Sequence, residues 1–189
     1  ETNAAENFAR MCRRTFRDKA NIAKLLTKLE AQQGISYAPM QRQTLELALK
    51  NQLLVITGGP GTGKTTSIRA ILAMFDEIGI KTLLCAPTGR AAKRMTELTG
   101  RDAATVHRML GAKFDEDNDR VVFTKDESDR LDCDAVILDE CSMVDICLMD
   151  ALLRALPPDA RLIMVGDADQ LPSVGPGNVF SALIRSQVV

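Results

Sequence analysis

The run Gly58-Gly59-Pro60-Gly61-Thr62-Gly63-Lys64-Thr65 sets glycines ahead of an adjacent lysine and hydroxyl. It fits the spacing G-x-x-x-x-G-K-[ST]. Glycines at these positions let successive backbone N–H groups turn onto phosphate oxygens. A helix starting at Lys64 would add the positive end of its dipole. Lys64 can reach the β- and γ-phosphates of a nucleotide, and the Thr65 hydroxyl can ligate Mg²⁺. Pro60 stiffens the turn. The chemistry is the binding of a nucleoside triphosphate with magnesium. Gly59, Pro60, Gly61, Thr62, Gly63, Lys64, Thr65 and Thr66 are expected to form the cradle.

Asp139-Glu140 follows the apolar run Ala135-Val136-Ile137-Leu138. Such a pair in isolation is usually a solvated turn. After a strand, and downstream of a phosphate loop, its two acids take different work. Asp139 can hold Mg²⁺, directly or through water, and Glu140 can orient and deprotonate the attacking water. Gly166-Asp167-Ala168-Asp169-Gln170 follows another apolar run. Gln170 is uncharged and long enough to touch a γ-phosphate or the lytic water. Lys64, Asp139, Glu140 and Gln170 are therefore the candidate catalytic set, with Thr65 and Asp139 the candidate metal ligands.

These residues need elements to hold them. Leu53-Leu54-Val55-Ile56, Thr82 to Ala86, Ala135 to Leu138 and Arg161 to Val165 read as four short buried strands. Helical patterns fall at Lys64 to about Ile78, about Arg90 to Leu98, and Asp145 to Leu156, closed by Gly79, Gly100 and Pro157-Pro158. Apolar strands alternating with helices imply a parallel sheet in a three-layer α/β domain. The strand ends that carry the loop, Asp139-Glu140 and Gln170 should then share one edge, where open α/β sheets bind ligands. Residues about 4 to 33 read as basic amphipathic helices, which usually just cover a neighbour, and Pro39 opens a further helix. Lys113-Phe114 and Val121-Val122-Phe123 flank an acidic turn and read as a small inserted hairpin, about 112–125.

Apolar residues make up 46% and charged residues 26% of the 189, an ordinary globular balance. No apolar run reaches the 18 or so residues of a membrane span, and the first residues lack a secretion-signal pattern, so a cytoplasmic protein without membrane contact is expected. The five cysteines form no C-x-x-C pair, and a single histidine, His107, argues against zinc. Net charge is −1, yet Lys113 to Asp134 carries nine acids against four bases, which leaves the rest of the chain at +4. A nucleic-acid surface should avoid that acidic stretch.

Taken together the motifs resemble the RecD-like branch of the superfamily 1 helicases, the family of the exodeoxyribonuclease V alpha subunit. The matching strings are Thr57 to Thr66 (motif I), Ala86-Pro87-Thr88-Gly89-Arg90-Ala91-Ala92 (motif Ia), Thr105 to Leu110, Leu138 to Asp145 (motif II) and Val165 to Val174 (motif III). The resemblance implies a RecA-like motor domain, ATP and Mg²⁺ as cofactors, single-stranded DNA as partner, and 5′-to-3′ helicase activity in DNA recombination and repair. It assigns Gln41, sixteen residues before Thr57, to the glutamine that reads adenine, which selects ATP over GTP. Thr88 matches a DNA-backbone contact, and His107 and Arg108 lie near the DNA path; for His107 a helix-packing role is the equal alternative. Gln170 matches the residue that links γ-phosphate to DNA movement. The hairpin stands where the family inserts a strand-separating subdomain.

The resemblance further implies a division into a helical segment, 1–35, ending a preceding domain, and a first motor domain, 36–189. Motifs IV, V and VI, with the arginines that complete transition-state stabilisation, belong to a second motor domain expected in cis. Because the chain stops at Val189, soon after motif III, it is expected to bind Mg-ATP weakly and hydrolyse it slowly. The resemblance also implies subunits of a nuclease–helicase complex as further partners. Two readings compete: a small-molecule or nucleoside kinase, against which the Asp-Glu pair and the Gly-Asp-x-x-Gln string speak, and a regulatory nucleotide switch that needs no DNA.

Overall fold

The computed structural model describes residues 2–16, 22–59, 61–116, 119–170 and 175–186. The chain opens with α1 (Thr2–Cys12), α2 (Ile22–Gln33) and α3 (Pro39–Lys50). An alternation follows: β1 (Leu53–Thr57), α4 (Lys64–Glu77), β2 (Thr82–Ala86), α5 (Gly89–Thr99), β3 (Ala103–Thr105) and the single turn α6 (Val106–Met109). A hairpin, β4 (Ala112–Asp115) and β5 (Arg120–Phe123), interrupts it. Then come β6 (Ala135–Leu138), α7 (Ile146–Ala155), β7 (Arg161–Gly166) and α8 (Val179–Ser186).

The main sheet has the order β1-β7-β6-β2-β3, and every pairing in it is parallel. Parallel strands bury both faces, and the side-chain alternation separates two cores. Leu162 and Met164 of β7, with Val136 and Leu138 of β6, meet α1, α7 and α8 on one face. Ile163 and Val165, with Ala135 and Ile137, meet α2, α3 and α4 on the other. The N-terminal helices thus share both cores with the sheet: Phe8 and Met11 of α1 on one side, Leu25, Leu26 and Leu29 of α2 on the other. This is the expected three-layer α/β arrangement.

Helix boundaries follow their caps. Asp145 accepts the Leu148 N–H at 2.8 Å and starts α7. Gly100, with φ of 70°, ends α5 in the left-handed conformation that favours glycine. Elements outside the sequence reading include β3, which borders β2, the single turn α6, and α8, whose Phe180 is buried against Gly166. The hairpin stands apart from the main sheet. Its register pairs Phe114 with Val121, and both side chains are exposed, at 61% and 52%. Asp117 and Asn118, from its acidic turn, are outside the described residues. Among the described residues, no helix is long and apolar enough to cross a membrane.

Candidate nucleotide site at the strand ends

Because the strands are parallel, the C-terminal ends of β1, β2, β6 and β7 meet one edge of the sheet. The phosphate loop follows β1. Gly61 and Gly63 take φ of 76° and 86°, a region that side chains rarely enter, so the turn into α4 depends on glycine. The Thr62 hydroxyl donates to the Gly59 carbonyl at 2.8 Å. The Lys64 ammonium donates to the Gly58 carbonyl and, at 2.9 Å, to that of Gly59. These bonds hold the lysine at the mouth of the loop, at the N-terminus of a fourteen-residue helix. Pro60 lies outside the described residues.

The motif II pair follows β6. The Asp139 N–H donates to the Cys85 carbonyl at 3.0 Å, continuing the sheet by one bond. Asp139 Oδ1 accepts the Glu140 N–H at 2.8 Å, and Glu140 itself sits at φ 52°, left-handed for a residue with a side chain. Burial pushes the Asp139 carboxyl above the ordinary aspartate range, against the opposing pull of the Glu140 N–H, Lys64 and Arg94. A short 3₁₀ turn, Cys141–Met143, follows. In it, the buried Ser142 hydroxyl donates to Gln170 Oε1 at 3.3 Å. Gln170 stands beyond β7, where buried Asp167 accepts the Asp169 N–H at 3.1 Å.

These groups line one cavity of about 460 Å³: Gly59, Gly61, Thr62, Gly63, Lys64 and Thr65 from the loop, Asp139 and Glu140 beyond β6, and Gly166, Asp167 and Gln170 at β7. Arg94 and Leu98 of α5 complete it. Thr65 and Asp139 bring a hydroxyl and a carboxylate, the hard oxygen donors that suit magnesium. No cluster of three or more acidic, histidine or cysteine ligands occurs among the described residues. The Thr65 hydroxyl and Asp139 carboxylate on one cavity suit a cation that takes its remaining oxygens from a nucleotide's phosphates.

Other expected residues lie elsewhere. Thr66 is exposed and faces a separate cavity of about 620 Å³, shared with Ile35, Tyr37 and Arg69. That cavity is the larger, but it lacks the paired carboxylates and the loop glycines. Gln41 is not among the residues around the 460 Å³ cavity; its Oε1 accepts the Ala38 N–H at 3.0 Å, at the start of α3. Thr88 stands beyond β2 on the same sheet edge, where its hydroxyl oxygen accepts the Ala91 N–H at 3.2 Å and caps α5. His107 and Arg108 are exposed on α6, and the His107 ring lies 5.9 Å from that of Phe123 at the hairpin base.

Sequence reasoning missed Arg94, Ser142 and Asp167. Asp167 had a usable signal, being the first acid after a strand end. Arg94 had a fainter one: it lies four residues before Leu98 on a helix whose Ala91, Ala92 and Met95 face inward.

A family described as an AAA domain matches residues 41–176. The chain belongs to this family. Among its relatives, the ATP-dependent RecD2 DNA helicase of Deinococcus radiodurans is 41% identical over 157 residues, covering 83% of this chain and 21% of that protein. The RecBCD enzyme subunit RecD of Mycobacterium tuberculosis is 40% identical over 167 residues, covering 76% of this chain and 28% of that protein. The resemblance to RecD-like helicases read from the motifs is thereby borne out. The fold likewise matches that of Bacteroides Pif1 bound to single-stranded DNA, with a TM-score of 0.54 at 24% identity, over 81% of this chain and 37% of that one. This chain spans between a fifth and a third of the length of these curated relatives. Nucleotide binding is what membership implies for the loop after β1.

Proposed function

We propose that this chain is the ATP-binding motor domain of a 5′-to-3′ DNA helicase acting in recombination and repair, in the cytoplasm. The observation that carries the reading is the convergence of the phosphate loop, Asp139, Glu140 and Gln170 on one cavity at the strand ends. The helicase names of relatives at about 40% identity support it.

In this reading the loop amides and Lys64 bind the phosphates, with Gln41 toward the adenine, while Thr66 faces the neighbouring cavity. Thr65 and Asp139 would hold Mg²⁺, which when bound neutralises phosphate charge. Glu140 orients water for attack and takes its proton. Gln170, tied to motif II through Ser142, relays the state of the terminal phosphate. Thr88, His107 and Arg108 face single-stranded DNA, and the exposed Phe114–Val121 pair of the hairpin meets the duplex fork. A second motor domain in cis supplies the remaining cations, and nuclease-complex subunits are further partners in this reading.

The test is ATP hydrolysis by the whole protein, with and without single-stranded DNA, for the wild type and Thr88→Asp. Aspartate preserves the α5 cap while adding a charge that repels phosphate. The reading expects hydrolysis stimulated by DNA, with stimulation reduced in the variant at unchanged melting temperature. Hydrolysis indifferent to DNA would favour a nucleotide switch instead.

A further inference from the structure

α5 presents two faces. Ala91, Ala92 and Met95 are buried, while Arg94 and Leu98, one turn apart, line the 460 Å³ cavity. The cavity's other cation, Lys64, is already held by two loop carbonyls. Among the described residues the Arg94 guanidinium has neither an ion pair nor a hydrogen bond. A guanidinium offers five donors in a planar fork, a geometry that matches phosphate oxygens.

Topology says which phosphate it would meet. The loop rises from β1 at one side of the sheet, and the order continues through β7 and β6 to β2, from which α5 departs. A nucleotide whose inner phosphates sit in the loop amides directs its terminal phosphate toward the carboxylates beyond β6. That is toward the side from which Arg94 enters. We propose that Arg94 contacts the terminal phosphate of the bound nucleotide, and so makes this site discriminate nucleoside triphosphate from diphosphate from within a single domain. The inference rests on the nucleotide-site reading above.

The experiment is calorimetric titration of the chain with Mg-ADP and with the Mg complex of a non-hydrolysable β,γ-imido triphosphate. Wild type, Arg94→Gln and Arg94→Lys are compared, with a thermal melt for each. One charge-assisted contact predicts a loss of about 10- to 100-fold in triphosphate affinity for Arg94→Gln, and a change within about threefold for the diphosphate. Arg94→Lys should recover part of the loss, since it restores the charge without the fork. Equal losses for both nucleotides overturn the proposal, because they mean that Arg94 acts only through Asp139 or the fold. Unchanged triphosphate affinity overturns it too. If Arg94→Gln fails to fold, Arg94→Lys decides: triphosphate-selective weakening supports the contact, and equal or absent weakening overturns it. A wild type that binds neither nucleotide removes the nucleotide site itself, and this inference with it.

Discussion

Glu140, like Asp119 in the hairpin turn, takes the left-handed region without being glycine. A non-glycine residue in the left-handed region costs on the order of 1–2 kcal/mol. Local bonds hold it there: the Asp139 carboxylate on its N–H, and its own carbonyl on the Met143 N–H at 3.1 Å. The turn sets Asp139 and Glu140 on one cavity, so the strain serves the site. Asp139 adds a second cost. Its pKa is raised by burial, so its contribution to stability is fully present below the unfolded value and is lost as pH rises through the folded one. At neutral pH the buried carboxylate therefore destabilises the fold. Asp139→Asn should melt higher than the wild type at pH 7, and the gain should vanish below the ordinary aspartate value of about 3.9. Magnesium-dependent nucleotide binding should fall in the same variant. Melting curves at both pH values check the sign, and a lower melting point at pH 7 would show that Asp139 is a net stabiliser.

At the scale of elements, the strands that carry the site were legible because each is a short apolar run closed by glycine, proline or acid. β6, Ala135–Leu138, is buried along its whole length and coincides with its apolar run. β3 was not legible: Ala103-Ala104-Thr105 is only half-buried, and its strand geometry comes from pairing with Leu84, Cys85 and Ala86. The same division holds in the site. Lys64, Asp139, Glu140 and Gln170 sit in strings that encode their own turns. Arg94 and Ser142 matter through helix rotation and a 28-residue jump in sequence, which no local pattern records. Thr88 and Gln41 show the reverse, since each also satisfies a backbone N–H at a helix start. One element joint is testable by itself. A Cβ on Gly166 would meet the Phe180 ring at 2.9 Å, where that side chain of α8 packs on the end of β7. Gly166→Ala should cost about 1–3 kcal/mol by overpacking, read from urea unfolding. A cost below about 0.5 kcal/mol, the scatter of a neutral substitution, would mean that α8 moves aside freely.

The whole molecule separates what is rigid from what acts. Two apolar cores, one on each face of the sheet, fix the strands, and polar groups gather beyond their ends. The hairpin projects its exposed Phe114–Val121 pair away from either core. This arrangement lets a phosphate-loop substitution change function without touching the fold. Among the described residues the Lys64 ammonium bonds only to loop carbonyls, and its side chain contributes to neither core. Titration of the chain with Mg-ATP, for wild type and Lys64→Ala in parallel, tests the central claim most directly. The account predicts saturable binding by the wild type, weakened at least about tenfold in Lys64→Ala by loss of a charge-assisted phosphate contact, at unchanged melting temperature. Equal affinity in the two proteins would contradict it.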